Sequence, residues 1–144
     1  MVNLKGGQSC PIPMEKRKRK VMKLRTAIVD NDPELLGQLK SILEEEREIA
    51  LLGAFGHPGQ LLDFVKEQPV DLVFSDVVMP EISGITLAER LAALENPPQV
   101  ILMSDIPGLS LKTWRIQALS FMPKPYGRRE VRGMIRLAQS AIRP

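Results

Sequence analysis

The sequence predicts an α/β fold, a five-stranded parallel sheet covered by helices on both faces. Two observations predict it. Short apolar, β-rich runs alternate with stretches of helical periodicity along residues 26–142. Four of the strand-like runs are each followed by one polar residue: Asp30, Asp76, Ser104 and Lys124. Strands that alternate with helices pair in parallel, because each crossover returns the chain to the same edge of the sheet. Strands buried on both faces read as continuous apolar runs rather than as alternating ones. The crossovers are expected to be right-handed.

The elements follow in order. Thr26–Val29 is the first strand, ending at Asp30. Asp32 and Pro33 open a helix, with a carboxylate at the N-cap and proline at the first helical position. Leu35, Leu36, Leu39, Ile42 and Leu43 then recur at helical spacing. Ile49–Phe55 is the second strand. His57-Pro58-Gly59 is a turn, and Leu61, Leu62 and Val65 mark a short helix. Val70–Ser75 is the third strand, ending at Asp76. Ser83–Leu94 places Ile85, Leu87, Ala88, Leu91 and Ala92 on one helix face, and Asn96-Pro97-Pro98 ends it. Val100–Met103 is the fourth strand, ending at Ser104. A helix is expected near Leu109–Gln117, with Trp114 as a packing residue. Leu119–Met122 is the fifth strand, closed by Lys124-Pro125. A last helix from about Arg128 buries Val131, Met134, Ile135, Ala138 and Ile142.

At 144 residues the chain is about one domain's worth. Its 44% apolar content excludes wholesale disorder. No apolar run approaches the ~20 residues of a membrane-spanning helix, and the N-terminus has no secretory pattern. The single cysteine, Cys10, cannot form an internal disulfide, so a reducing, cytoplasmic home is the simplest expectation. The net charge of +3 hides an uneven distribution. Residues 1–25 carry eight Lys/Arg and one Glu, whereas residues 26–126 carry seven Lys/Arg and fifteen Asp/Glu. The excess of base therefore lies outside the patterned body, and does not make that body a nucleic-acid binder. Residues 1–24, with the run Lys16–Lys20, read as a basic, disordered extension, and residues 25–143 as the folded domain.

In an open parallel sheet, ligands bind beyond the carboxyl ends of the strands. Asp30, Asp76, Ser104 and Lys124 then meet at one crevice. Their types suit phosphoryl chemistry. A carboxylate can attack phosphorus and give an acyl phosphate. A divalent cation offsets the approach of two negative groups. A hydroxyl and an ammonium hold the remaining phosphoryl oxygens.

Four stretches carry a family resemblance: Ile28-Val-Asp-Asn-Asp-Pro-Glu, Asp71-Leu-Val-Phe-Ser-Asp-Val-Val-Met-Pro-Glu-Ile-Ser-Gly, Val100-Ile-Leu-Met-Ser and Phe121-Met-Pro-Lys-Pro-Tyr. They resemble the receiver domains of two-component response regulators over about residues 24–142. The resemblance implies a doubly wound, flavodoxin-like sheet of order 2-1-3-4-5. It implies Asp76 as phosphoacceptor in phosphorelay signal transduction, with a sensor histidine kinase or phosphotransfer protein as donor. It implies Mg²⁺ held by Asp30, Asp76 and the Val78 carbonyl, with Asn31 as a weak ligand. Ser104 would bind the phosphoryl group and move on activation, Lys124 would pair with it, and Phe121 would be the aromatic switch residue. Pro80 and Gly84 match the turn after the acceptor. The surface made by the fourth helix, fifth strand and last helix would serve a homodimer or an output partner, and the arginines Arg128, Arg132 and Arg136 lie on one face of that last helix. Nucleic acid would be reached only through a separate output domain, and some wording resembles receivers that precede LytTR-type domains.

Three departures bear on function. Asn31 stands where the family usually has a second carboxylate, and should lower cation affinity. Asp32 could compensate, but its N-cap role competes. Asp105 follows Ser104 where a small residue is common, and Ser120 replaces an acidic residue. Two other readings follow from these residues. One is a pseudo-receiver, a phosphorylation-independent interaction module. The other is a haloacid-dehalogenase-type phosphatase built on Asp30-Asn31-Asp32, which leaves the Asp76 block unexplained. The expectation is a signalling domain rather than an enzyme.

Overall fold

The computed structural model describes residues 23–106 and 117–142. The basic extension up to residue 22, Trp114 and nearly all of the helix expected near residues 109–117 lie outside the described residues.

Five strands form one all-parallel sheet: β1 (Leu24–Val29), β2 (Ile49–Phe55), β3 (Leu72–Asp76), β4 (Gln99–Ser104) and β5 (Ser120–Pro123). Their order is β2-β1-β3-β4-β5, as expected. Four helices are described: α1 (Pro33–Glu44), α2 (Pro58–Glu67), α3 (Gly84–Ala92) and α4 (Arg128–Ile142). Strand β2 matches its expected bounds. The others are shifted by one or two residues, and β1 begins two residues early, at Leu24.

Side chains of a strand point alternately to the two faces, and here both faces are covered. Ile28, Leu72, Phe74, Ile101 and Met103 face α1 and α4, where Leu39, Leu43, Val131 and Ile135 meet them. Ala27, Val29, Val73, Val100 and Leu102 face the other way, toward Leu61 on α2 and Leu87, Ala88 and Leu91 on α3. Phe74 is fully buried at the centre, and its truncation to Ala would cost about 3–5 kcal/mol. The sheet thus separates two cores and fixes the relative heights of its strand ends.

The helix starts carry local signals. Asp32 is the N-cap of α1 and its Oδ1 accepts from the Glu34 and Leu35 amides at 3.0 and 3.4 Å. This satisfies two of the amides a helix start leaves open. Ser83 caps α3 by accepting from the Thr86 amide, so that helix begins one residue later than its apolar pattern suggests. His57 stands at the α2 N-cap without a side-chain bond. Before α4, the Glu130 carboxylate accepts from the Gly127 amide at 2.8 Å.

At the amino edge of the sheet, Arg25 and Asp71 clamp β1 to β3. The guanidinium donates from Nε and Nη2 to the two carboxylate oxygens, at 3.0 and 2.9 Å. The Arg25 amide adds a third bond to Asp71 at 2.8 Å. The Asp71 carboxyl is held below the usual range, first by the hydrogen bond from Arg25, which outweighs the opposing effect of burial.

Candidate functional site

The opposite, carboxyl edge collects Asp30, Asp76, Ser104 and Lys124. Each is placed by backbone rather than by its own contacts. The Asp30 amide donates to the Phe55 carbonyl at 3.1 Å, the Val77 amide to the Met103 carbonyl at 2.9 Å, and the Lys124 amide to the Ser104 carbonyl at 2.8 Å. The ladders thus run one residue past the strands, so these side chains leave the sheet from hydrogen-bonded positions.

The Lys124 ammonium lies between two carboxylates. Its Nζ donates to Asp30 Oδ2 at 3.1 Å and to Asp76 Oδ1 at 3.2 Å. Asp30, Asp76 and Ser104 are all buried. Burial pushes the Asp76 carboxyl above the usual range, and the charge of Asp30 adds to that, while Lys124 opposes both. For Lys124, burial alone would lower the ammonium. The hydrogen bonds and charges of Asp30 and Asp76 outweigh it, and the net shift is upward. One partly buried cation serving two buried anions leaves the negative charge in excess, and that excess is what a further cation would meet.

The loop after Asp76 is tightly determined. Gly84 returns to the strand end, its amide donating to the Val77 carbonyl at 2.8 Å. A Cβ at Gly84 would run into the Asp76 carbonyl oxygen, so only glycine fits. Ser75, buried, donates to that same carbonyl at 2.9 Å. Within the loop the Ile82 amide donates to the Pro80 carbonyl at 2.9 Å, and Glu81 between them has φ 74°. This is a γ-turn of the rarer, strained hand. The loop holds the Val78 side chain outward, 59% exposed, and its carbonyl toward Asn31.

The Asn31 side-chain amide lies against the Val78 carbonyl and Asp76 Oδ2; turned so that its nitrogen faces them, it would donate to both, at 3.1 and 2.9 Å. Two oxygens therefore converge on the Asn31 amide group. A carboxylate oxygen and a carbonyl converging in this way, with the Asp30 carboxylate joined to Asp76 through Lys124, is a hard-oxygen set of the kind Mg²⁺ takes. Among the described residues there is no cluster of three or more His, Cys, Asp or Glu. The expected third carboxylate is Asn31, and Asp32 is committed to capping α1. Asp32 does touch the site by its backbone, its amide donating to Asp30 Oδ1 at 2.9 Å.

The comparisons with known proteins fall on this same arrangement. The response regulator receiver domain family matches residues 26–136. The chain belongs to that family. It is 20% identical over 118 residues to the transcriptional regulatory protein YpdB of Escherichia coli K12, covering 82% of this chain and 48% of that protein. It is 24% identical over 103 residues to the sensory transduction protein LytT of Bacillus cereus, covering 72% of this chain and 42% of that one. The receiver spans about half the length of these curated relatives. Among solved structures, the signal receiver domain of the putative response regulator NarL from Mycobacterium tuberculosis superposes with a TM-score of 0.74 at 23% identity, covering 83% of this chain and 98% of that one. Receiver domains are signalling domains of two-component systems, generally non-enzymatic, and as a family bind Mg²⁺ at the phosphorylation site.

The other expected residues of the receiver are dispersed around the carboxylates. The Ser104 hydroxyl does not bond to the side chain of Lys124 or Asp76; its Oγ accepts from the Ile106 amide at 2.9 Å. Phe121 lies on β5 opposite Leu102, partly buried against the core under α2 and α3. Asp105 is exposed beside Ser104. The arginines of α4 stay exposed, and two of them pair with carboxylates. Arg128 pairs with Glu45 at 2.8 Å and Arg132 with Glu46 at 3.0 Å, tying α4 to the end of α1.

Two features had no sequence signal. A cavity of about 820 Å³ opens at the amino edge, lined by Arg25, Lys66, Asp71, Glu95, Pro97 and Ile142 among others. It lies at the far end of the strands from the carboxylates, and the chemistry rather than the concavity marks the site. Tyr126, read only as the end of the Lys-Pro motif, is buried beneath the site, with a hydroxyl that meets no hydrogen-bond partner among the described residues. Burial first, then the charges of Asp30 and Asp76, push that hydroxyl above its usual range.

Proposed function

We propose that Asp76 is the phosphoacceptor of this receiver, within a domain of residues 25–143, and that a sensor histidine kinase or phosphotransfer protein is the donor. One observation carries the proposal: the Lys124 ammonium bridges Asp30 and the buried Asp76 at the carboxyl edge of the sheet. An Asp76 carboxylate oxygen attacks the phosphorus, forming the acyl phosphate O–P bond. The bond from phosphorus to the donor nitrogen breaks, and the electron pair leaves with the imidazole. Lys124 moves from neutralising Asp76 to pairing with the incoming phosphoryl oxygens, and the Ser104 hydroxyl turns from the Ile106 amide to donate to them. Asp30, Asp76 and the Val78 carbonyl would hold Mg²⁺, with Asn31 a weak fourth group. Bound there, the cation offsets the repulsion between acceptor and phosphoryl oxygens.

Phe121 and Ser104 are assigned the switch by the family resemblance; they sit on the adjacent strands β5 and β4. Phosphorylation shifts the population of the surface around β5 and α4, where Leu137 is exposed. That surface serves a second copy of the chain or an output partner. Any nucleic-acid contact belongs to an output domain, as the name of the YpdB relative suggests. Among the described residues no helix is long and apolar enough to cross a membrane, and a kinase partner of this class implies a cytoplasmic site of action.

Acetyl phosphate with Mg²⁺ tests the reading. The wild type gains one phosphoryl mass and a Mg²⁺-free control does not. A wild type that takes up none under any donor favours the pseudo-receiver, for which the neutral Asn31 is the motive.

A further inference from the structure

Tyr126 carries a group that neither the core nor the chemistry above uses. The residue is 8% exposed, and its buried hydroxyl meets no hydrogen-bond partner among the described residues. A buried polar group is costly to leave unmet, and a phenylalanine of the same shape would avoid that cost. Tyr126 belongs to the core cluster that holds Ile28, Phe74 and Met122. Those residues stand two positions before Asp30, Asp76 and Lys124, and side chains two apart along a strand leave by the same face. Tyr126 therefore packs on the side of the sheet from which both carboxylates and the ammonium emerge. Burial raises its hydroxyl first, and the charges of Asp30 and then Asp76 reach it as well. We propose that Tyr126 is a positioning residue: when Lys124 leaves Asp30 for the phosphoryl oxygens, the Tyr126 hydroxyl takes its place and donates to Asp30. The inference rests on the reading of Asp76 as phosphoacceptor.

Asp30 needs such a replacement. Its Oδ1 accepts from the Asp32 amide at 2.9 Å and its Oδ2 from the Lys124 ammonium at 3.1 Å. The Asp30 side chain has no exposed surface, so the oxygen that Lys124 vacates cannot turn to bulk water. A phenol hydroxyl rotates freely about its C–O bond, and its bond to a carboxylate is of the stronger, charge-assisted kind. Both halves of the exchange start from one short stretch, with Lys124 and Tyr126 on either side of Pro125. A hydroxyl that is idle in one form and bonded in the other favours the form in which it is bonded. Held in this way, Asp30 keeps its place beside the acceptor after Lys124 has moved.

The chain has a single tyrosine, so full-length protein labelled with ¹³C at tyrosine Cζ gives one line that reports the bonding of this hydroxyl. Wild type and Tyr126→Phe are compared with beryllofluoride and MgCl₂, the probe for the phosphoryl group, with MgCl₂ alone, and with neither. In wild type the line shifts further with both additions than with MgCl₂ alone. With neither addition, Tyr126→Phe melts no lower than wild type. Titration followed by ¹⁹F NMR shows the variant binding beryllofluoride roughly tenfold more weakly, as loss of one hydrogen bond to a charged group requires. A lower melting temperature for Tyr126→Phe with neither addition would mean that the hydroxyl already has a partner, a buried water included, and overturns the proposal. Equal affinity of the two proteins for beryllofluoride overturns it too, as does a line that answers both additions no more than MgCl₂ alone. In each of those outcomes, uptake of beryllofluoride by wild type leaves the acceptor reading standing. A wild type that takes up none overturns that reading and the role of Tyr126 with it.

Discussion

Asp71 and Asp76 bracket the same strand, β3, and their carboxyls are driven in opposite directions. Asp71, at the amino edge, receives a two-pronged guanidinium from Arg25 and a backbone amide, and is held low. Asp76, at the carboxyl edge, is buried beside a second carboxylate and shares one ammonium with it, and is pushed up. The first arrangement is complete: every partner is met within the pair, and it fastens β1 to β3. The second is incomplete by construction. Its charge is in excess, its turn is strained at Glu81, and Gly84 presses on its backbone. The contrast shows where this receiver gives up stability and where it regains it. A reactive carboxylate needs unbalanced surroundings, and a satisfied clamp at the far end of the same strand keeps the sheet in register.

The largest expected effect breaks the reactive end by shape alone. Gly84→Ala drives a Cβ into the Asp76 carbonyl oxygen and should cost about 3 kcal/mol or more, with labelling lost. Denaturant unfolding and phosphoryl uptake read both. A near-neutral variant would show that the close approach is not enforced.

Breaking the clamp comes next. Asp71→Asn loses a charge-assisted fork and should cost about 1–2 kcal/mol, a figure reduced because solvent reaches Arg25. The Asp71 carboxyl is lowered in the fold, so its contribution is present above its unfolded pKa, about 3.9. It is lost as pH falls through the lower folded value. The gap in Tm between variant and wild type should therefore be widest at neutral pH and close in acid.

Asp76→Asn gives the smallest stability change, with the opposite sign. A raised carboxyl favours folding below its unfolded pKa, and that contribution is lost as pH rises through the folded value. At neutral pH the wild type carries the penalty, so the variant should melt a few degrees higher, with the gain vanishing below about pH 4. A lower Tm at neutral pH would mean that the bond to Lys124 outweighs burial and Asp30.

The amino acid sequence made the reactive end more legible than the clamp. Asp30, Asp76, Ser104 and Lys124 each follow an apolar run, and a parallel sheet brings such residues to one edge whatever the details of packing. The Arg25–Asp71 fork depends on the register of β1 against β3 across 46 residues, which no local pattern encodes. The positive φ of Glu81 lacks the glycine or asparagine that normally signals it. Gly84 was recognisable as part of a motif, but the Asp76 carbonyl that excludes any side chain there is a matter of tertiary approach. The α4 arginines are an exposed stripe, and their pairing with Glu45 and Glu46 needs α1 placed beside them. Asn31 was legible as an absent charge, whereas its place against two site oxygens required the loop that carries Val78.

The most direct test sets the two ends of β3 side by side. Wild type, Asp71→Asn and Asp76→Asn are incubated with acetyl phosphate and Mg²⁺, and their intact masses are measured. The expected result is one added phosphoryl group on wild type and on Asp71→Asn, and none on Asp76→Asn. Labelling retained in Asp76→Asn would contradict the assignment of the acceptor.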